Sequence, residues 1–255
     1  MIALILGTKE GRDILSLLNK FTEDLFISTA TKYGGEILKD YNFKIMNDKP
    51  LNKDEMINVL KKNKIKALID ASHPYALEVT KTCMEVSKEL DIEYIRYERP
   101  SVLKEFKGED KVITLESYED LKDAISKIKG NILNTSGSRN IEKILNLNLE
   151  NRIIHRILPS VKVLQKCLDL KIKVEDIIAI KGPITKELND AFIKDYNGKA
   201  LILKDSGKEG GTKEKILACL ENNIYALVIK RKKVYYENEF NDVENLVSYI
   251  KSNYF

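Results

Sequence analysis

The sequence predicts an α/β protein built on parallel sheets, and three observations carry that expectation. Short apolar runs alternate with amphipathic stretches nearly to the C-terminus, the rhythm of strands joined by crossover helices. Turns rich in glycine, serine and threonine follow several of the apolar runs. With 255 residues, 43% hydrophobic and 32% charged, the chain can bury a substantial core and is no disordered tail.

Taken in order, IALIL at Ile2–Leu6 reads as the first strand, followed by a helical face of Ile14, Leu15 and Leu18. Further strands are expected at Leu25–Thr29, 43–46, 67–70 and Glu93–Tyr97. Between the last two, Ala76, Val79, Cys83, Val86 and Leu90 recur at helical spacing. The polar stretch VLKEFKGEDK after Arg99-Pro100-Ser101 breaks the rhythm. Roughly ten strands exceed one small open sheet, so two domains are expected, 1–102 and 110–255. Strands resume at Val112–Leu115, 132–134, 152–157, 177–180, 201–204 and 226–229. Helical faces run through Leu121, Ala124, Ile125 and Ile128, and through Val243, Leu246, Val247 and Ile250.

Composition excludes several classes. Lys+Arg 43 against Asp+Glu 39 gives a net charge of +4, too mild and interleaved for a nucleic-acid binder. No apolar run approaches the ~20 residues of a bilayer span. MIALILGTKEG lacks the basic start of a signal peptide, so a cytoplasmic protein is expected, and a monomer, since no segment reads as an exposed apolar interface. Cys83, Cys167 and Cys219 lie far apart in helical segments and read as buried small hydrophobes. Two distant histidines and no C-x-x-C pair leave no expected metal centre.

Ligands of open parallel sheets bind at the strands' carboxyl ends, and there the unusual residues fall. Gly7-Thr8 after the first strand, Ser136-Gly137-Ser138-Arg139, Gly182-Pro183-Ile184-Thr185 and Lys204-Asp205-Ser206-Gly207 are turns whose amides suit an anion. Neither G-x-G-x-x-G nor a Walker lysine-serine pair is present. In IDASHPYA, Pro74 is expected at the first turn of a helix capped by Ser72 or His73. His73 could donate to a carboxylate, stack under a planar ligand, shuttle a proton or merely cap. Asp70 is expected to orient it or to cap the helix, and Tyr75 offers an aromatic surface or core packing. His155 in RIIHRILP reads as a strand-face residue.

ILGTKEGR, IDASHPYA, IRYERP, NTSGSRN, RILP, GPITKELN and KDSGKEGG, in this order along nearly the whole chain, resemble the precorrin-6A reductase family of cobalamin biosynthesis. One departure is Leu6, standing where the family commonly has the first of two glycines before the threonine. The resemblance implies two Rossmann-like or flavodoxin-like domains facing each other across a cleft. It implies reduction of one carbon–carbon double bond of a ring-contracted tetrapyrrole, with a hydride from NADH or NADPH and a proton at the neighbouring carbon. Gly7, Thr8, Ser136, Gly137, Ser138, Arg139, Lys204, Asp205, Ser206 and Gly207 are then expected to hold the cofactor. Ser72, His73, Tyr75, Arg96, Arg99 and Arg156 would meet the polyanionic macrocycle, with His73 also the candidate proton donor. The abundance of Lys, Ile and Asn, as in AT-rich genomes of anaerobes, inclines the expectation to cobalt-precorrin-6A. Three other readings compete: a tetrapyrrole-binding protein without redox chemistry, a uroporphyrinogen-III synthase-like enzyme, and an ordinary dehydrogenase.

Overall fold

Twelve strands and ten helices alternate through the chain in a computed structural model that describes all 255 residues. The first stretch runs β1 (Ile2–Leu6), α1 (Lys9–Leu18), β2 (Leu25–Thr29), α2 (Lys32–Glu36), β3 (Ile45–Asn47) and α3 (Lys53–Lys62). It continues through β4 (Ala67–Ala71), α4 (Leu77–Leu90) and β5 (Glu93–Tyr97). Then come β6 (Val112–Leu115), α5 (Leu121–Ile125), β7 (Asn131–Asn134), α6 (Ile141–Leu145), β8 (Ile153–Ile157), α7 (Val161–Asp169) and β9 (Ile177–Ala179). The last elements are α8 (Lys186–Asp195), β10 (Gly198–Lys204), α9 (Thr212–Glu221), β11 (Tyr225–Ile229), β12 (Asn238–Phe240) and α10 (Val243–Tyr254).

Two compact units result, Met1–Arg99 with Val234–Phe255, and Pro100–Lys233. The first contains the sheet β12-β5-β4-β1-β2-β3 and the second the sheet β6-β11-β10-β7-β8-β9; every pairing in both is parallel. In each unit the order reverses once, between β1 and β4 and between β7 and β10. These are the switch points at which doubly wound sheets open a crevice for ligand. Both sheets share one plan of five successive strands, with the sixth supplied by the last strand of the first unit, β12, and by the first strand of the second, β6. The sequence, which shows no quotable repeat, does not reveal this.

Strands β1, β2 and β4 are buried at every residue, as sheets covered on both faces require. Leu4, Ile27 and Ile69 on one face and Ala3, Phe26 and Leu68 on the other pack into separate clusters. Each fully buried Leu, Ile or Phe contributes about 1.5–3 kcal/mol. All three cysteines are buried and free. No helix is long and apolar enough to cross a membrane.

Where the structure departs from the sequence-based expectation, the causes are tertiary. The last 22 residues, assigned from sequence to 110–255, return to the first unit: β12 pairs with β5. Asn238 there, and Tyr249 and Tyr254 of α10, all donate to the carboxylate of Glu93 on β5. A three-residue strand carries too little alternation to be seen in sequence. The Gly182-Pro183-Ile184-Thr185 turn lies just ahead of α8: Pro183 follows a cis peptide bond, and Thr185 caps the helix by accepting from the Leu188 amide. Pro74 sits in a turn closed by the Ala76 amide on the His73 carbonyl at 2.7 Å, three residues ahead of α4.

Candidate active site

At the first unit's switch point, the ends of β1 and β4 bring Gly7 and Thr8 beside Ser72 and His73. A side chain at Gly7 would come within 3.8 Å of the His73 amide nitrogen and 3.9 Å of Ser72 Cα. Thr8 Oγ1 donates to the Ala71 carbonyl at 3.4 Å. The turn carrying His73 is built by Asp70. Its Oδ1 accepts the Ser72 amide at 2.9 Å, and its Oδ2 accepts Tyr94 Oη and pairs with Arg96 Nη1, both at 2.9 Å. Arg96 also donates to Ser72 Oγ at 3.2 Å and, through Nη2 and Nε, to Glu98 at 2.7 and 2.9 Å. Burial works against the guanidinium's charge, but Asp70 and Glu98 outweigh it and raise its pKa. Inside this frame, His73 Nδ1 accepts the Tyr75 amide at 3.2 Å. A neutral ring therefore carries its proton on Nε2.

This geometry bears on three expectations. Of the two roles expected for Asp70, it caps no helix but fixes the turn that carries His73. Arg96, with 1% of its side chain exposed, is paired with two carboxylates, Asp70 and Glu98. Arg99 grips Glu10 of α1 with both arms of its fork, Nη2 to Oε2 at 2.6 Å and Nε to Oε1. Burial raises the Glu10 pKa, yet the Arg99 hydrogen bonds prevail and hold it below the usual range. Sequence reasoning missed Glu10, whose burial is set by a partner 89 positions away.

At the second unit's switch point, β7 ends in Asn134. Its Oδ1 accepts both the amide and the hydroxyl of Ser136, at 3.0 and 2.7 Å, while its Nδ2 lies 3.0 Å from His155 Nδ1. The amide can only donate there, so His155 Nδ1 is the acceptor. Beyond Ser136, Gly137 takes φ 88, a conformation that favours glycine, with open space where a side chain would stand. Ser138 is half-buried and Arg139 exposed. At the end of β10, Lys204 precedes a loop held by Thr212, whose Oγ1 accepts the Ser206 amide at 2.9 Å and donates to the Lys204 carbonyl at 3.1 Å. Asp205 is 3% exposed, and its carbonyl accepts Arg231 Nε at 2.7 Å while its carboxylate lies 3.4 Å from that nitrogen. Asp205 therefore shapes the loop. Gly207 and Gly211, at φ 71 and 68, turn the backbone into α9.

The helices distinguish these rims from the rest of the fold. Thr31, Asn52, Ser160, Thr185 and Asp242 cap α2, α3, α7, α8 and α10 with their side chains. The helices that follow the four switch-point strands, α1, α4, α6 and α9, have no side-chain cap; α5 alone shares this elsewhere. First-turn amides left without a capping side chain suit an anionic ligand.

Positive charge converges on the second rim. Arg156, on β8, donates from Nη1 to Asn189 Oδ1 at 2.8 Å, and burial brings its pKa down to about 10. Burial and then the neighbouring Arg139 bring Lys204 to about 8. Lys215 of α9, absent from the sequence reading, completes the group. Its segment TKEKILACL carries two lysines, and nothing local marks which one turns inward.

Residues 1–251 match the family model described as precorrin-6x reductase CbiJ/CobK. The chain belongs to this family. A cobalt-precorrin-6A reductase from Methanocaldococcus jannaschii is 36% identical over 98% of this chain and 97% of its own. One from Priestia megaterium is 32% identical over 97% and 96%. A solved structure described as CobK precorrin-6A reductase shares the fold with a TM-score of 0.76, covering 99% of this chain and 97% of that one at 13% identity.

In this CbiJ/CobK member, His155 supports the second rim from within. It is 1% exposed, and burial lowers its pKa to about 4. Unfolded, the imidazole titrates near 6.5, so between those values the unfolded chain binds the extra proton. Stability is full above about pH 6.5 and declines as pH falls, by roughly 3 kcal/mol at pH 4 from this residue. Denaturant melts across that window are expected to show this slope, and His155→Gln, which cannot take the proton, to flatten it.

Proposed function

We propose that the protein reduces one carbon–carbon double bond of cobalt-precorrin-6A with NADH or NADPH, the dinucleotide on the second unit's rim and the macrocycle on the first unit's. The observation that supports this most is the second switch point. Two glycine turns with positive φ, uncapped helices and converging cations meet there, a combination that fits a pyrophosphate although G-x-G-x-x-G is absent.

When bound, the reduced nicotinamide supplies the hydride. The chain's residues do the rest. Ser138, Arg139 and the 205–207 loop bind phosphate and ribose, with Ser136 holding its turn in place through Asn134. Gly7 leaves room for ligand beside the His73 turn, and Thr8 fastens the turn between β1 and α1 to the end of β4. His73 delivers the proton from Nε2 to the carbon next to the one reduced, on a turn made rigid by Asp70, Ser72 and Arg96. Tyr75 presents its ring beside His73, centroids 5.9 Å apart, as a stacking surface. Arg99 reaches the substrate only through Glu10 and the α1 turn it anchors.

Arg139→Ala is expected to weaken dinucleotide binding about ten- to a hundredfold, the worth of a charge-assisted hydrogen bond. Enhancement of nicotinamide fluorescence on titration reads this directly. Unchanged affinity would move the cofactor away from this rim.

A further inference from the structure

Lysine is almost never fully buried unless an anion meets it. Lys215 is 6% exposed in the first turns of α9 and has no ion-pair partner; its Nζ makes one long contact, 3.4 Å to the Gly210 carbonyl. The groups that face it are mostly of its own sign. Arg156 from β8 and Lys204 from β10 oppose its charge, while Glu214 and Cys219 on its own helix favour it weakly. Arg156 also lacks a carboxylate and rests on the neutral Asn189 side chain. Glu214 is the one carboxylate near Lys215, with its own Oε2 buried and without a hydrogen-bond partner, so a proton on Lys215 beside Arg156 costs stability unless a further anion meets it. A fold keeps such an arrangement where a ligand brings the missing charge.

We propose that Lys215 and Arg156 together receive one oxyanion group of the ligand, a phosphate or a carboxylate. The proposal rests on the reductase reading only for which ligand carries that group. Burial, reinforced by Arg156 and Lys204, holds Lys215 down to about 7. At pH 8 it is therefore mostly neutral in the free protein, and it takes a proton from solvent when the anion arrives. Binding tightens as pH falls from about 9 towards 7.

Calorimetry of the full chain at pH 8, in Tris and in HEPES, counts the protons taken up. The probes are NADPH and 2′,5′-ADP for phosphate and uroporphyrin I for carboxylate. The wild type is expected to take up close to one proton with one probe class, and Lys215→Met to lose both that uptake and at least tenfold in affinity for the same class. A nucleotide-only loss assigns the oxyanion to phosphate, a uroporphyrin-only loss to carboxylate. Lys215→Met should also melt higher than wild type, the difference larger at pH 7 than at pH 10, because it removes a buried charge. No proton uptake by wild type, unchanged affinity of Lys215→Met for both classes, or uptake that persists in the variant through Lys204 would each overturn the proposal. If wild type oxidises NADPH with substrate while the variant is unaffected, this inference fails and the reductase reading stands. If no dinucleotide binds but uroporphyrin affinity falls in the variant, the reverse holds.

Discussion

Arg96→Ala is expected to lower the unfolding free energy by about 3–5 kcal/mol, because it leaves the fully buried Asp70 charge without its partner. In a chain of this size that corresponds to a fall in Tm of roughly 10 °C or more. The loss has several sources at one point. Asp70 would keep only the Ser72 amide and Tyr94 hydroxyl, Glu98 would lose its two bonds from Arg96, and the Tyr236 ring 5.7 Å from the guanidinium would lose its cation. Arg96→Lys should recover part of the stability, since an ammonium cannot span Asp70, Ser72 and Glu98 in one plane. Substrate affinity of the molecules that remain folded should change little. A Tm within a degree of wild type, with KM raised tenfold, would place Arg96 in the substrate-binding set.

His73→Asn is expected to lower turnover by about 10²–10⁴, the contribution of a positioned general acid, while Tm falls by less than about 3 °C. Asparagine can accept an amide two residues on, as His73 Nδ1 accepts that of Tyr75, so the turn persists without a group that delivers a proton. His73→Ala removes both functions and should add roughly 1 kcal/mol of destabilisation. Melting curves and single-turnover rates of the two variants separate the roles. Wild-type turnover in His73→Asn would reduce His73 to a turn residue, with the proton coming from water.

Why some of this was legible in the sequence and some not follows from the range of each signal. The strand turns are local chemistry: glycine, serine and threonine after an apolar run announce a rim wherever the chain later folds. So LGTKEGR, ASHPYA, NTSGSRN and KDSGKEGG fall at the two switch points as the pattern foretells. Long-range pairing leaves no such trace. Glu10 and Arg99 are 89 positions apart, and Asp205 is closed by Arg231 after a further strand. Arg96 carries the charge of a ligand receptor, and only the fold shows that two carboxylates already claim it. Lys215 is hidden for the opposite reason, as one of two lysines in its segment, its burial dependent on β8 and β10. The return of β12 to β5 is likewise a tertiary event, held by Glu93 and two tyrosines more than 150 positions on.

Reduction of the macrocycle by a nicotinamide dinucleotide is read by anaerobic oxidation of NADH and NADPH, followed at 340 nm, with cobalt-precorrin-6A and metal-free precorrin-6A offered in turn. Oxidation is expected to depend on substrate, to be fastest with the cobalt-containing macrocycle, and to be lost in His73→Asn. Binding of the macrocycle without oxidation in any of the four combinations would overturn the reductase reading.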